Sequence, residues 1–147
     1  MQITQTLYID QLILPAAVVN NASFTSQAVD MSGAHEAFVT FELGALDIGI
    51  TALKLQECDT SGGSYTDIPG ADYSATGNVL PTATDDNKIW GWYISYRGAR
   101  KRYLKIVATV GNGSTGAYAH ASVLHGRLEN GPQDAATAGL AQVLTIS

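Results

Sequence analysis

The chain has 147 residues, the size of one ordinary domain, and its net charge of −5 argues against a nucleic-acid partner, whose phosphates would call for clustered Lys and Arg. Cys58 is the only cysteine, which excludes an intramolecular disulfide and with it the stapled scaffolds of small secreted proteins. Hydrophobic residues make up 46% and charged residues 14%, so a full core is available. The surface must then be built from Ser, Thr, Asn, Gln and Gly, as in a protein that packs against neighbours in an assembly.

The amino-terminal stretch MQITQTLYIDQLILPAA lacks a basic leader, and Thr6, Asp10 and Gln11 interrupt its apolar residues, so it does not read as a signal peptide. No apolar run approaches the roughly 20 residues that span a bilayer, and no membrane partner is expected. Ile3 to Leu14 reads as one extended piece ending at Pro15, within an extended amino-terminal segment over residues 1–21. Ala22 to Met31 alternates weakly, whereas Ala37 to Leu43 and Ile50 to Glu57 alternate strongly and predict half-buried antiparallel strands joined through Gly44 to Gly49. The run CDTSGGSYTDIPGADY predicts a turn in which Gly62 and Gly63 supply positive φ.

Ser74 to Asn87, with Gly77, Pro81, Asp85 and Asp86, predicts a loop over the end of the sheets. Lys88 to Arg97 places Trp90, Trp92, Ile94 and Tyr96 on one face, and Arg100 to Val110 does the same with Leu104, Ile106, Ala108 and Val110. The two-residue link Gly98-Ala99 predicts a tight hairpin between them, with Arg97, Arg100, Lys101, Arg102 and Lys105 as its solvated turn and strand edge. Ala117 to Arg127 alternates again. Residues 128–147 begin as a Gly/Pro turn and end in a strand-like Gln142 to Ile146, a carboxy-terminal arm able to pair into a sheet. Together these elements predict one all-β domain over residues 1–147, a jelly-roll-like antiparallel β-sandwich of about eight strands with extended terminal segments.

The residues offer little for catalysis. His120 and His125 are five apart, hence on opposite faces of a strand, and no spacing suits a structural zinc site. The acidic residues Glu57, Asp67, Asp72, Asp85 and Asp86 lie in or beside turns, where such side chains cap local backbone, and TATDDNK lacks the alternate ligands of a calcium loop. No nucleophile elbow, P-loop or dinucleotide fingerprint is present. The chain is therefore not expected to be an enzyme, and no cofactor or metal is expected. The aromatic row Trp90, Trp92 and Tyr96 could stack on a sugar ring, although alternation with Ile94 reads as core, and a carbohydrate-binding surface would use Trp90, Trp92 and Tyr73.

The segments ALKLQECDTSGGSYTDIPGADY, KIWGWYISYRGARKRYLKIVATVG and AYAHASVLHGRLENGPQ, spanning Ala52 to Gln133, together resemble the head decoration, or cement, proteins of tailed bacteriophages. None of these motifs is a catalytic signature. The resemblance implies a jelly-roll-type sandwich made in the host cytoplasm that sits on the capsid exterior, commonly as a homotrimer. There it would bridge neighbouring copies of the major capsid protein against the pressure of packaged DNA. Contacts are then expected from segments outside the sandwich: Leu7, Tyr8, Ile9 and Leu12 at the amino end, Val79, Leu80, Asp85 and Asp86 in the long loop, and Leu140 and Val143 in the carboxy-terminal arm. The alternative is a carbohydrate- or receptor-binding module of a virion, in which case a glycan would be the partner. A shell-forming capsid protein with the same sandwich is a third reading.

Overall fold

A computed structural model describes residues 7–14, 19–20, 22–46, 48–110 and 116–126. Their strands are β1 (Leu7–Ile13), β2 (Val19–Asn20), β3 (Ala22–Thr25), β4 (Val29–Asp30), β5 (Glu36–Leu46), β6 (Ala52–Cys58), β7 (Thr66–Asp72), β8 (Ile89–Ser95), β9 (Tyr103–Val110) and β10 (Gly116–Gly126). There is no helix among the described residues. Eight of these strands are four residues or longer, and β2 and β4 are two-residue additions to strand edges.

Two antiparallel sheets form a sandwich. One has the order β1-β10-β5-β8, with β2 also on β10, and the other has the order β3-β9-β6-β7, with β4 also on β9. The pairs β1/β10, β3/β9, β5/β8 and β6/β7 are nested in sequence, so the chain is laid out as one long hairpin whose tip lies between β6 and β7. Pairing of β10 with β5 and of β9 with β6 then completes each sheet.

Period-two alternation puts every second side chain between the sheets. Val39, Phe41, Leu53, Leu55, Leu104 and Ile106 are each 0% exposed, and Trp92 and Ile94 are buried beside them. Trp90 and Tyr96 pack on the same core from partly exposed positions, so the predicted apolar face of this segment is inward. Cys58 is buried.

Three local expectations are corrected. The Gly98-Ala99 link does not close a hairpin: β8 pairs with β5 in one sheet while β9 pairs with β3, β4 and β6 in the other, so the chain crosses between sheets here. Gly98 lacks a positive φ, and the local bond runs from the Arg100 N–H to the Gly98 carbonyl at 2.9 Å, a γ-type reversal. Each segment has one apolar face, and both faces reach the same core only from opposite sheets. Gly62 and Gly63 also lack positive φ. Gly63 is required for space instead, since a Cβ there would lie 2.5 Å from Thr60 Oγ1 and 2.6 Å from Cys58 Sγ; the positive-φ glycine of the β6/β7 hairpin is Gly70 (φ 82). Finally, β5 runs on through Gly44 to Leu46, shortening the connection expected from Gly44.

The expected strand Gln142 to Ile146, with Leu140 and Val143, lies outside the described residues.

Candidate functional site

β7 and β8 are the outer strands of their sheets on one side of the sandwich, and a cleft of about 570 Å³ lies between them, lined in part by Pro69, Asp72, Asn78, Tyr93, Ser95 and Arg100. Its floor is stitched shut. The Tyr73 hydroxyl, one residue past β7, donates to the Gly91 carbonyl of β8 at 2.7 Å, and the Trp92 indole N–H of β8 donates to the Ala71 carbonyl of β7 at 3.2 Å, so a backbone acceptor on each edge strand is satisfied from across the cleft. The two rings meet edge-on with centroids 5.0 Å apart. Trp92, buried, and Tyr73, with its hydroxyl used, thus tie the sheets together, and neither presents a flat ring to a sugar as the aromatic set required. Pro69 lacks an N–H and Gly70 breaks the extended path, which blunts the β7 edge.

The opposite side holds a polar group inside the sandwich. His125 on β10 is 2% exposed, Tyr8 on β1 sits opposite it in register with ring centroids 4.9 Å apart, and Asp10 Oδ2 lies 3.5 Å from His125 Nε2. That separation is electrostatic contact rather than a good hydrogen bond, and Nε2 has no hydrogen-bond partner. Burial therefore dominates and pushes the imidazole below its usual range, while Asp10 and Asp30 pull the other way. Below pH of about 6.5 the unfolded chain binds a proton at this position that the folded chain refuses until its lower value is reached. Stability held at neutral pH should accordingly fall as pH drops from about 6.5, and His125→Phe should flatten that slope in urea unfolding at pH 7.5, 6.5 and 5.5. An unchanged slope in the variant would assign the dependence to another group. The depressed carboxyl of Asp30, held down chiefly by Arg102, acts in a separate and more acidic window.

The remaining candidates are dispersed. Leu7 and Ile9 are half-buried on the outward side of β1, whereas Leu12 is a core residue at 1% exposure and Tyr8 lies against His125. In the long loop Val79 is 72% exposed and Leu80 packs against the core. The two loop carboxylates bind their own chain. Asp85 accepts from Lys88 Nζ at 2.6 Å and from the Thr82 N–H and hydroxyl at 2.7 Å, which holds its carboxyl well below the usual range. Asp86 accepts from the Leu46 N–H at 2.8 Å and so anchors the loop to the end of β5. Asp86→Ala should speed amide exchange at Leu46 while leaving Thr82 protected, and equal speeding at both would show that the loop moves as one unit.

Three members of the basic cluster are engaged within the chain: Arg102 grips Asp30 through Nε and Nη2 at 2.8 and 2.6 Å, Lys105 Nζ lies 4.2 Å from the Tyr65 ring centre, and Arg100 Nε is 3.7 Å from the buried Glu57 carboxylate. His120 lies on the face opposite His125, with Nδ1 3.8 Å from Glu42 Oε2. Among the described residues no three His, Cys, Asp or Glu side chains gather as a metal site, and no helix is long and apolar enough to cross a membrane. No protein-family model, curated protein or solved structure matches the chain.

Proposed function

We propose that the chain is a structural virion protein that binds the outside of a tailed-phage capsid and stabilises it by bridging capsomers. The observation that carries this reading is the placement of exposed apolar side chains: Phe38, Ile89, Tyr93 and Tyr118 lie on an outer sheet surface, suited to a broad protein contact. The nested strand pairing, which a jelly-roll-type sandwich would need, and the resemblance carried by the segments from Ala52 to Gln133 support it further. The mechanism is mass action. A protein that binds only the assembled, expanded shell stabilises that state by about 2.7 kcal/mol per site when free protein is at 100 times its Kd. A homotrimer on a threefold axis would multiply weak contacts through avidity.

Purified chain mixed with expanded shells lacking it should bind saturably and raise the temperature at which the shells come apart. Absence of saturable binding removes the proposal. The cleft between β7 and β8 favours a second reading, a glycan-binding virion module, because Tyr93, Asp72, Asn78 and Arg100 put polar groups beside an aromatic ring. Titration with a glycan panel, followed by tryptophan fluorescence, decides that reading, and silence across the panel eliminates it.

A further inference from the structure

Among the described residues six large hydrophobic side chains stand exposed, and four of them, Phe38, Ile89, Tyr93 and Tyr118, share the outer face of β1-β10-β5-β8. Strand register sets Phe38 beside Tyr93, while Ile89 lies in the row of Glu42 and Tyr118 beside Gly44. Ile9 opposes Leu124, Leu124 opposes Phe38, and Phe38 opposes Tyr93, so one transverse row carries an apolar side chain on every strand. The adjoining row is small, with Ser122, Thr40 and Gly91 in line and the two hydroxyls 2.9 Å apart. A Cβ on Gly91 would lie 3.1 Å from Phe38 Cζ, so the Phe38 ring rests over this glycine and the surface stays flat.

Charge separates the two faces of the sandwich. The outer side of β3-β9-β6-β7 bears Lys54 paired with Asp67 at 2.7 Å and Lys105 over Tyr65, with the Arg102–Asp30 pair at its margin, as a solvated surface does. Among the described residues the outward positions of the other sheet hold no Lys or Arg but two carboxylates, Glu36, which accepts from the Tyr93 hydroxyl at 2.8 Å, and Glu42, whose Oε2 lies 3.8 Å from His120 Nδ1. An aromatic centre with an acidic margin is the composition of a contact surface for a partner of opposite sign.

We propose that this face is the one by which the chain docks, and that its partner is a flat shell-protein surface, apolar at the centre and rimmed by Lys and Arg; the assignment rests on the shell-binding reading above. Charge complementarity selects this occupant over a second copy, because two such faces packed together would bring the Glu36 and Glu42 carboxylates of both chains into one contact, on chains that each carry −5. Four strands about 4.8 Å apart give a patch of a few hundred Å², roughly half the 800 Å² per partner of a standard stable complex. Such a contact becomes firm where several are engaged at once, as on a repeating lattice.

The test is co-sedimentation with empty expanded shells made from the major capsid protein of the same phage, at a series of salt concentrations. The chains compared are the unaltered protein, Phe38→Ser/Tyr93→Ser, Glu42→Lys, and a control on the other face, Lys54→Ser/Asp67→Ser, each checked for folding by thermal melting. The double variant should bind at least about thirtyfold more weakly, as loss of central aromatic anchors does. Glu42→Lys should bind about tenfold more weakly and with a shallower salt dependence, a readout that carries the comparison if the double variant does not fold. The control should bind as the unaltered chain does. Full binding by folded face variants, or loss in the control alone, overturns the inference and leaves the shell-binding reading standing. Self-association of the unaltered chain that the face substitutions abolish, or a glycan that they displace, overturns it in favour of those occupants. If the unaltered chain binds no shell, the function proposed above fails first and this inference falls with it.

Discussion

Phe41→Ala is expected to destabilise the fold by about 3–5 kcal/mol, measured by urea unfolding at neutral pH. Phe41 is 0% exposed at the middle of β5, which is itself an inner strand, with Ala121 of β10 opposite on one side and Trp90 of β8 on the other. Small Ala121 makes room for the ring and cannot fill the space when the ring is removed, and Trp90 could do so only by leaving its own packed position. The loss then combines the transfer free energy of the ring with the cost of an unfilled cavity, and it approaches the whole stability of an ordinary domain. Phe41→Leu should cost much less, since most of the volume remains. A loss below about 1 kcal/mol for the alanine variant would mean that the core closes over the site, contrary to the packing described here.

The second large effect is expected at a serine. Ser26 follows β3, and its own N–H donates to the Ile106 carbonyl at 3.1 Å, while its hydroxyl accepts from the Ile106 N–H at 2.9 Å and donates to the Gln27 carbonyl at 2.9 Å. The hydroxyl thus stands in for the main-chain carbonyl that a continuous strand would have supplied between β3 and β4. Immediately afterwards the Gln27 N–H donates to the Leu12 carbonyl at 3.1 Å, in the other sheet. Ser26→Ala leaves the N–H of a fully buried residue without a partner, which costs about 1–3 kcal/mol. Amide exchange at Ile106 should quicken in the variant relative to Leu104 and Ala108. If Ile106 exchanges as before, the hydroxyl is not its acceptor.

Much of the sandwich was legible because each strand carries its own burial code. Leu53 and Leu55 against Lys54 and Gln56, or Leu104 to Val110 at every second position, need no partner to be read as one wet and one dry face. Sheet membership is a different kind of information. Gly98-Ala99 looks the same to a local reading whether the chain reverses in the plane of a sheet or steps across to the facing one, and only the match of Val39 to Trp92 and Phe41 to Trp90 decides it. The apolar row on the outer face is hidden from a local reading for the same reason. Phe38 stands out as aromatic among Thr40 and Glu42, yet its row-mates Ile9, Leu124 and Tyr93 become neighbours only through long-range register. Turn chemistry and contact chemistry use the same side chains, and for Asp85 and Asp86 the structure shows the turn chemistry, with both carboxylates engaged by Thr82, Lys88 and Leu46.

The nesting of strand pairs also imposes a schedule on synthesis. As the polypeptide leaves the ribosome, β1 has no strand to zip onto until the stretch opposite it, which closes the described part of the chain at Gly126, has been translated. The β6/β7 tip can form early from adjacent residues, and assembly must then progress outward from it toward the ends of the chain. Until that late closure the leading segment waits as a bare strand, the interval in which a chaperone or a neighbouring nascent chain has its best chance to capture it.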